Sequence, residues 1–341
     1  MSFIDSAHNI KNAKHPEDIF SKAADVDIVY KQYATVVHPD KNSNSAESVE
    51  LFKLLNGLYS TVKEKIKHGK YGIKTLGTIS KKDGTTYTLT DLINEDALAN
   101  IYKAELGTKS FVCKVYRNPA TKDFALAEAN NLKAIYESPV KDLAVIQHVT
   151  KLHDSFQLNT KQYVNVFTQY GTGYTVEQVR NKYKNGLELK HAAWMFNRML
   201  GSLLAVHQAG FVNNGLTPDS FLIYPKNHNG LLTNFSYSGK LGSKLTGYNP
   251  KWKAFYAPEL LEKHPTSFGA DIYMAAKCFL YLCGDLKTNK VNAPNSVQNF
   301  INYCLLGMKT RPQDAFEVHN DFHAILKNIF GEPKFVEFSM E

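Results

Sequence analysis

Residues 211–223 read FVNNGLTPDSFLI, a polar loop between apolar ends in which Asp219 is the sole ionisable group. An Asp directly after a proline is the setting of a turn cap, so the sequence predicts a structural role for Asp219. Upstream, Phe196, Met199, Leu200, Leu203, Leu204 and His207 recur at the three-and-four spacing of one helical face. Downstream, residues 270–284 read ADIYMAAKCFLYLCG. That run is apolar almost all round, as in a helix buried at the centre of a lobe. Toward the N-terminus the period changes. YTLTDLI (87–93), NIYKAEL (100–106) and SFVCKVY (110–116) predict three successive antiparallel strands, DFALAEANNLKAIY (123–136) a helix, and residues 149–156 and 163–170 two more strands. The expected class is α+β.

Landmarks occur in a fixed order along this stretch: Lys114 in FVCKV, Glu128 in LAEANNL, Tyr256-Ala257-Pro258-Glu259, Asp271 in ADIYMAAK, and Arg311. With the strand-to-helix succession they resemble the two-lobed protein kinase fold over residues 85–332, with a β-rich small lobe and an α-rich large lobe. The resemblance implies that Lys114 and Glu128 are the third-strand lysine and its helix partner. It also implies that Tyr256 to Glu259 close the activation segment.

The chemical landmarks depart from the family. Its phosphate-covering loop needs glycines so that backbone can approach phosphate, but LINEDALANIYKA (92–104) places Asn94, Asp96 and Ala99 there. The catalytic loop HRDLKxxN is replaced by Asn213, Asn214, Gly215, Thr217 and Ser220, which removes base, cation and metal ligand together. Asn234-Phe235-Ser236 stands for the magnesium-binding DFG, and a neutral amide is a poor partner for a dication. The resemblance is therefore to a pseudokinase: no catalytic residue, no metal, no cofactor and no conventional phosphotransfer are expected. Lys114 with Glu128, and Glu259 with Arg311, are expected to be structural ion pairs.

The first 72 residues read differently. Val26, Val29, Tyr30, Tyr33, Ala34 and Val37 mark one helical face, which must end at His38 because Pro39 restricts the residue before it. A second helix from about Ala46 carries Leu51, Phe52, Leu55, Leu58, Tyr59, Val62 and Ile66 on its apolar face. This hairpin, with YKQYATVVHPDKN (30–42) and the Phe52, Leu55, Asn56, Tyr59 pattern, resembles a J domain, the module that recruits DnaK-type chaperones. The resemblance implies that His38, Pro39 and Asp40 contact the chaperone, assisted by Lys31 and Lys41. J domains carry a strongly basic helix before this tripeptide. Here Lys31 stands almost alone, with Lys22 and Lys41 at the ends, so steering toward an acidic partner is weaker. The expected domains are 1–72 (J domain), 73–84 (linker) and 85–341 (pseudokinase).

A hydrophobic content of 43% suits a folded chain. No apolar run reaches the roughly 18 residues of a membrane span, and nothing points outside the cytoplasm. Cys113, Cys278, Cys283 and Cys304 form no CxxC pair and read as reduced core residues. Residues 1–72 carry 10 Lys+Arg against 9 Asp+Glu, and the remainder 30 against 23, so the net +8 belongs mostly to the larger part. One basic stretch there is GKLGSKLTGYNPKWKA (239–254). It interleaves Lys240, Lys244, Lys251 and Lys253 with Tyr248 and Trp252 and fits an acidic peptide or nucleic acid. The favoured reading is a co-chaperone adaptor whose kinase-like part binds a protein client or masks the J domain. A nucleic-acid-binding or acidic-partner scaffold, and unorthodox nucleotidyl transfer from ATP, are the alternatives.

Overall fold

The structure, a computed structural model, describes residues 2–13, 15–67, 71–72, 75–168 and 173–340. Two compact units emerge: Met1–Ile79 with Thr86–Asp91, and Ser80–Thr85 with Leu92–Glu341.

In the first unit three helices surround a small core. Helix α1 (Phe3–Asn12) was not anticipated from periodicity. A local device starts it: the Asp5 amide donates to Ser2 Oγ at 3.1 Å while the Ser2 amide donates to the Asp5 carboxylate at 3.4 Å, a capping box. Helix α2 (Val26–Val37) stops where Pro39 requires, with His38 at φ −56° and ψ 130°, outside the helical region. Helix α3 (Ala46–Lys67) runs back along it, so that Tyr30 donates to Asn56 Oδ1 and Tyr59 to Asp27 Oδ1, each at 2.7 Å. Ile10, Phe20, Val26, Val37, Leu51, Leu55 and Val62 are buried at the centre. Each such side chain contributes about 1.5–3 kcal/mol through burial.

Strands come next along the chain, and they fall in both units. A six-stranded sheet has the order β1-β2-β3-β4-β6-β5, built from β1 (Gly77–Ser80), β2 (Thr86–Glu95), β3 (Ala99–Leu106), β4 (Lys109–Tyr116), β5 (Leu152–Gln157) and β6 (Tyr163–Thr168). The pairs β3–β4, β4–β6 and β5–β6 are antiparallel. The stretch 73–84, expected to be a linker, contains β1. Ile73 and Lys74 in it, and Gln169 and Tyr170 at the end of the expected fifth strand, lie outside the described residues. Helix α4 (Lys122–Glu137) buries Ala125, Glu128, Ala129, Leu132 and Ile135, a three-and-four stripe in which Glu128 is the charged exception.

Helices follow. After β7 (Tyr174–Thr175) and α5 (Val176–Lys182), the long α6 (Leu189–Gln208) leads through β8 (Phe211–Val212) into the polar loop, which ends at β9 (Phe221–Tyr224). Antiparallel β10 (Asn229–Leu232) returns to Asn234. Past β11 (Gly239–Lys240) and α7 (Pro258–Leu261), helix α8 (Phe268–Cys283) is buried almost all round, as its composition predicts. It meets α6 and α10 (Ala315–Phe330) through Phe196, Phe279 and Phe322, whose ring centroids lie 5.0 to 5.8 Å apart, while α9 (Asn295–Cys304) packs alongside. All four cysteines are free and buried, and burial pushes the Cys113, Cys283 and Cys304 thiols up to about 12.

Candidate functional site

The sequence nominates three places. The first is the loop after α2. Pro39 starts a short 3-10 turn to Asn42, whose side-chain amide donates to the Val36 and His38 carbonyls at 2.9 Å. His38 has a local task, because its Nδ1 accepts the Asp40 amide at 3.2 Å and its ring lies edge-on to Phe52 at 4.9 Å. The Asp40 side chain is 80% exposed and only approaches His38, at 3.7 Å. Turn geometry thus depends on Pro39, Asn42 and His38, and leaves the Asp40 carboxylate to solvent. Lys31 and Lys41 are exposed as well.

The second place is a cleft of about 300 Å³ between the sheet and the helical part of the second unit. Its walls are apolar, with Ile93, Ile101, Val112, Phe167, Leu222 and Leu231, and its polar floor holds Asp96, Lys114, Asp219, Ser220 and Asn234. Lys114 projects from β4 and is 3% exposed. Its Nζ lies 3.0 Å from Glu128 Oε1, 3.1 Å from Asn234 Oδ1, 2.8 Å from Ser236 Oγ and 3.2 Å from Asp96 Oδ2. Burial alone would push the Lys114 pKa down, but Asp96 and Glu128 reverse the effect and hold it well above the usual lysine range. Glu128, fully buried, also accepts from the Phe235 amide at 3.1 Å, Tyr116 at 2.8 Å and Asn165 at 2.9 Å. The carboxylate that interrupts the apolar stripe of α4 therefore ties strand, helix and the Asn234-Phe235-Ser236 segment together.

Asp96 changes what this floor can do. One oxygen faces Lys114, and the other accepts the amides of Leu98 and Ala99 at 2.7 and 2.6 Å. One carboxylate thus takes the lysine and two loop amides, donors that would otherwise suit a bound anion. Three Nζ protons already face four acceptors, so the floor is satisfied without a ligand. Sequence reasoning placed Asp96 in the loop as the replacement of a glycine. The missed signal is local: an Asp two and three residues before amides in a tight turn accepts them readily.

The loop 213–220 is pinned from below. Buried Asp271 on α8 accepts the Asn213 and Asn214 amides at 2.7 and 2.8 Å and lies 3.0 Å from His207 Nε2. Asn214 adopts φ 52°, a left-handed geometry that asparagine tolerates. The Asn213 side-chain amide donates to the Asn234 carbonyl at 2.8 Å and its oxygen accepts the Gly215 amide at 3.0 Å. Ser220 Oγ accepts the Thr217 amide at 2.7 Å. Asp219 is braced by Thr217 Oγ1 at 2.6 Å and Asn249 Nδ2 at 3.1 Å, and burial raises its pKa. Elsewhere Arg311 grips Glu259 at 2.6 and 3.2 Å in a buried bidentate pair. Among the described residues no group of three or more His, Cys, Asp or Glu could hold a metal ion.

A solved structure carries the same architecture. The structure of vaccinia related kinase 3 matches with a TM-score of 0.56 and 13% sequence identity, over 76% of this chain and 92% of that one. The fold is kinase-like. No protein-family model and no curated protein matches the chain.

The third place, the basic stretch of this kinase-like unit, is less uniform than its sequence suggested. Lys240, Lys244, Lys253 and Tyr248 are exposed. Trp252 is instead a core residue, 7% exposed and packed on Phe255 and Tyr281 at 5.2 and 5.7 Å. It offers no open face for stacking a base. Lys251 pairs with Glu177 at 2.7 Å, which offsets its charge.

Proposed function

We propose that this protein is a J-domain co-chaperone whose kinase-like unit performs no conventional phosphotransfer and serves as a binding adaptor for a protein client or as a regulator of the J domain. The observation that carries the reading is the His38-Pro39-Asp40 loop between two antiparallel helices, with the Asp40 carboxylate 80% exposed and not required for the turn. A charged group kept in solvent at a fixed turn is available to a partner.

Two features support the loss of phosphotransfer. Gly215, Ser220 and Asn234 stand where the family has base and metal ligands, so positioning and charge stabilisation fail together. Asp96 also occupies the Lys114 ammonium, and ATP would have to displace it while bringing further negative charge. The same contact counts against nucleotidyl transfer. Lys114 and Glu128 are retained in this reading because they join strand to helix.

The test is single-turnover ATP hydrolysis by a DnaK-type chaperone with this protein added. Wild type accelerates hydrolysis and His38→Gln does not. No acceleration by wild type with any DnaK-type chaperone would remove the co-chaperone reading. A scaffold for nucleic acid or an acidic partner would then rest on exposed Lys240, Lys244 and Lys253. It predicts binding that weakens steeply with salt.

A further inference from the structure

Residues 332–340, EPKFVEFSM, follow α10 and form neither helix nor strand. Their aromatic side chains are nevertheless seated. Phe338, 6% exposed, lies 5.4 Å from Tyr183, 5.2 Å from His191 and 6.1 Å from Trp194, centroid to centroid. Phe335 stacks on His228 at 4.1 Å, and His228 stacks in turn on Trp194 at 4.3 Å. The Tyr183 hydroxyl donates to the Ser339 carbonyl at 2.6 Å. The groove beneath this strap is built from α6, the end of α5 and the left-handed turn at His228, where φ is 49°.

The seating is incomplete. Phe335 remains 65% exposed despite its stack. Under the strap, His191 Nδ1 and Trp194 Nε1 are buried without a hydrogen-bond partner. The His228 ring approaches the Val336 carbonyl, yet its Nε2 is also buried and makes no hydrogen bond of normal geometry. Buried polar atoms left unpaired weaken a contact, and three of them lie along this one groove. A ligand presenting the same two rings, with acceptors set over these nitrogens, would fit the groove better than the strap does.

We propose that the groove lined by Tyr183, His191, Trp194 and His228 is a docking site for a partner peptide carrying two aromatic side chains three residues apart, and that Phe335 to Phe338 is its internal, displaceable occupant. The assignment is independent of the chaperone reading, since every residue in it belongs to the kinase-like unit and lies outside the cleft.

The test uses the full chain and a fluorescently labelled EPKFVEFSM peptide as probe, read by anisotropy. In Phe338→Ala the internal strap is weakened, and this variant binds the probe at least tenfold more tightly than wild type does. A probe with both phenylalanines replaced by alanine does not bind. Equal binding by wild type and a folded Phe338→Ala, no binding by that folded variant, or retained binding of the alanine probe would each overturn the proposal. If Phe338→Ala fails to fold, hydrogen exchange of wild type decides. Strap amides exchanging well before those of α6 support displacement, and exchange at the α6 rate contradicts it. A concentration-dependent dimer abolished by Phe338→Ala would make a second copy the occupant and overturn the partner assignment.

Discussion

The loop at His38 and the loop at Asp96 both present an aspartate in a tight turn, and the two carboxylates have opposite fates. Asp40 is 80% exposed and carries none of the turn, whereas Asp96 is folded onto Lys114 and two backbone amides. The first arrangement leaves a charge for a partner, and the second uses the charge up internally. Whether a functional-looking residue is available depends less on its identity than on whether its hydrogen-bonding capacity is already filled.

The sharpest way to break this contrast is to remove the buried hub of the cleft. Glu128→Ala would strand Lys114, Tyr116 and Asn165 without their shared acceptor, and breaking a buried pair costs about 3–5 kcal/mol. Thermal denaturation should show a large drop in the midpoint of the kinase-like unit. A shift within error would mean that the network is not structural.

A smaller effect separates stability from occupancy. Asp96→Gly removes the internal anion while leaving Glu128 with Lys114, so it should cost about 1–3 kcal/mol, as for one lost buried partner. It should also create an ATP-dependent rise in melting temperature that wild type lacks. Stabilisation of wild type by ATP, equal to that of the variant, would show that Asp96 is not the block.

Acidity gives a further test. Burial lowers the pKa of His148, His191, His228 and His319 in the kinase-like unit. A lowered folded-state pKa means that the unfolded chain binds more protons below about pH 6.5, the ordinary histidine value. The stability of the unit should therefore be level above that pH and fall as pH drops below it. Melting midpoints that stay constant from pH 7.5 down to 5.5 would contradict this.

The smallest expected change in stability belongs to the exposed loop. Asp40→Ala should alter unfolding free energy by no more than about 0.5 kcal/mol, because the side chain is solvated.

Much of the fold was legible because its signals are periodic. The stop at Pro39, the α3 face through Leu51, Leu55 and Val62, and the apolar run of α8 all appear where spacing and composition put them. What escaped notice was set by single polar contacts. Helix α1 depends on the Ser2 and Asp5 cap, β1 lies in a Gly- and Lys-rich stretch without alternation, and Asp96 reveals its role only when Lys114 is brought beside it. Trp252 looked like part of an open basic surface because a loop sequence does not show which rings turn inward onto Phe255 and Tyr281. Long-range partners, unlike period, are not written in neighbouring residues.

The most direct test of the proposed co-chaperone role is single-turnover ATP hydrolysis by a DnaK-type chaperone in the presence of wild type or Asp40→Ala, with melting curves of both proteins run alongside. The account predicts acceleration by wild type, none by Asp40→Ala, and superimposable melting curves. Equal acceleration by the two proteins would contradict it.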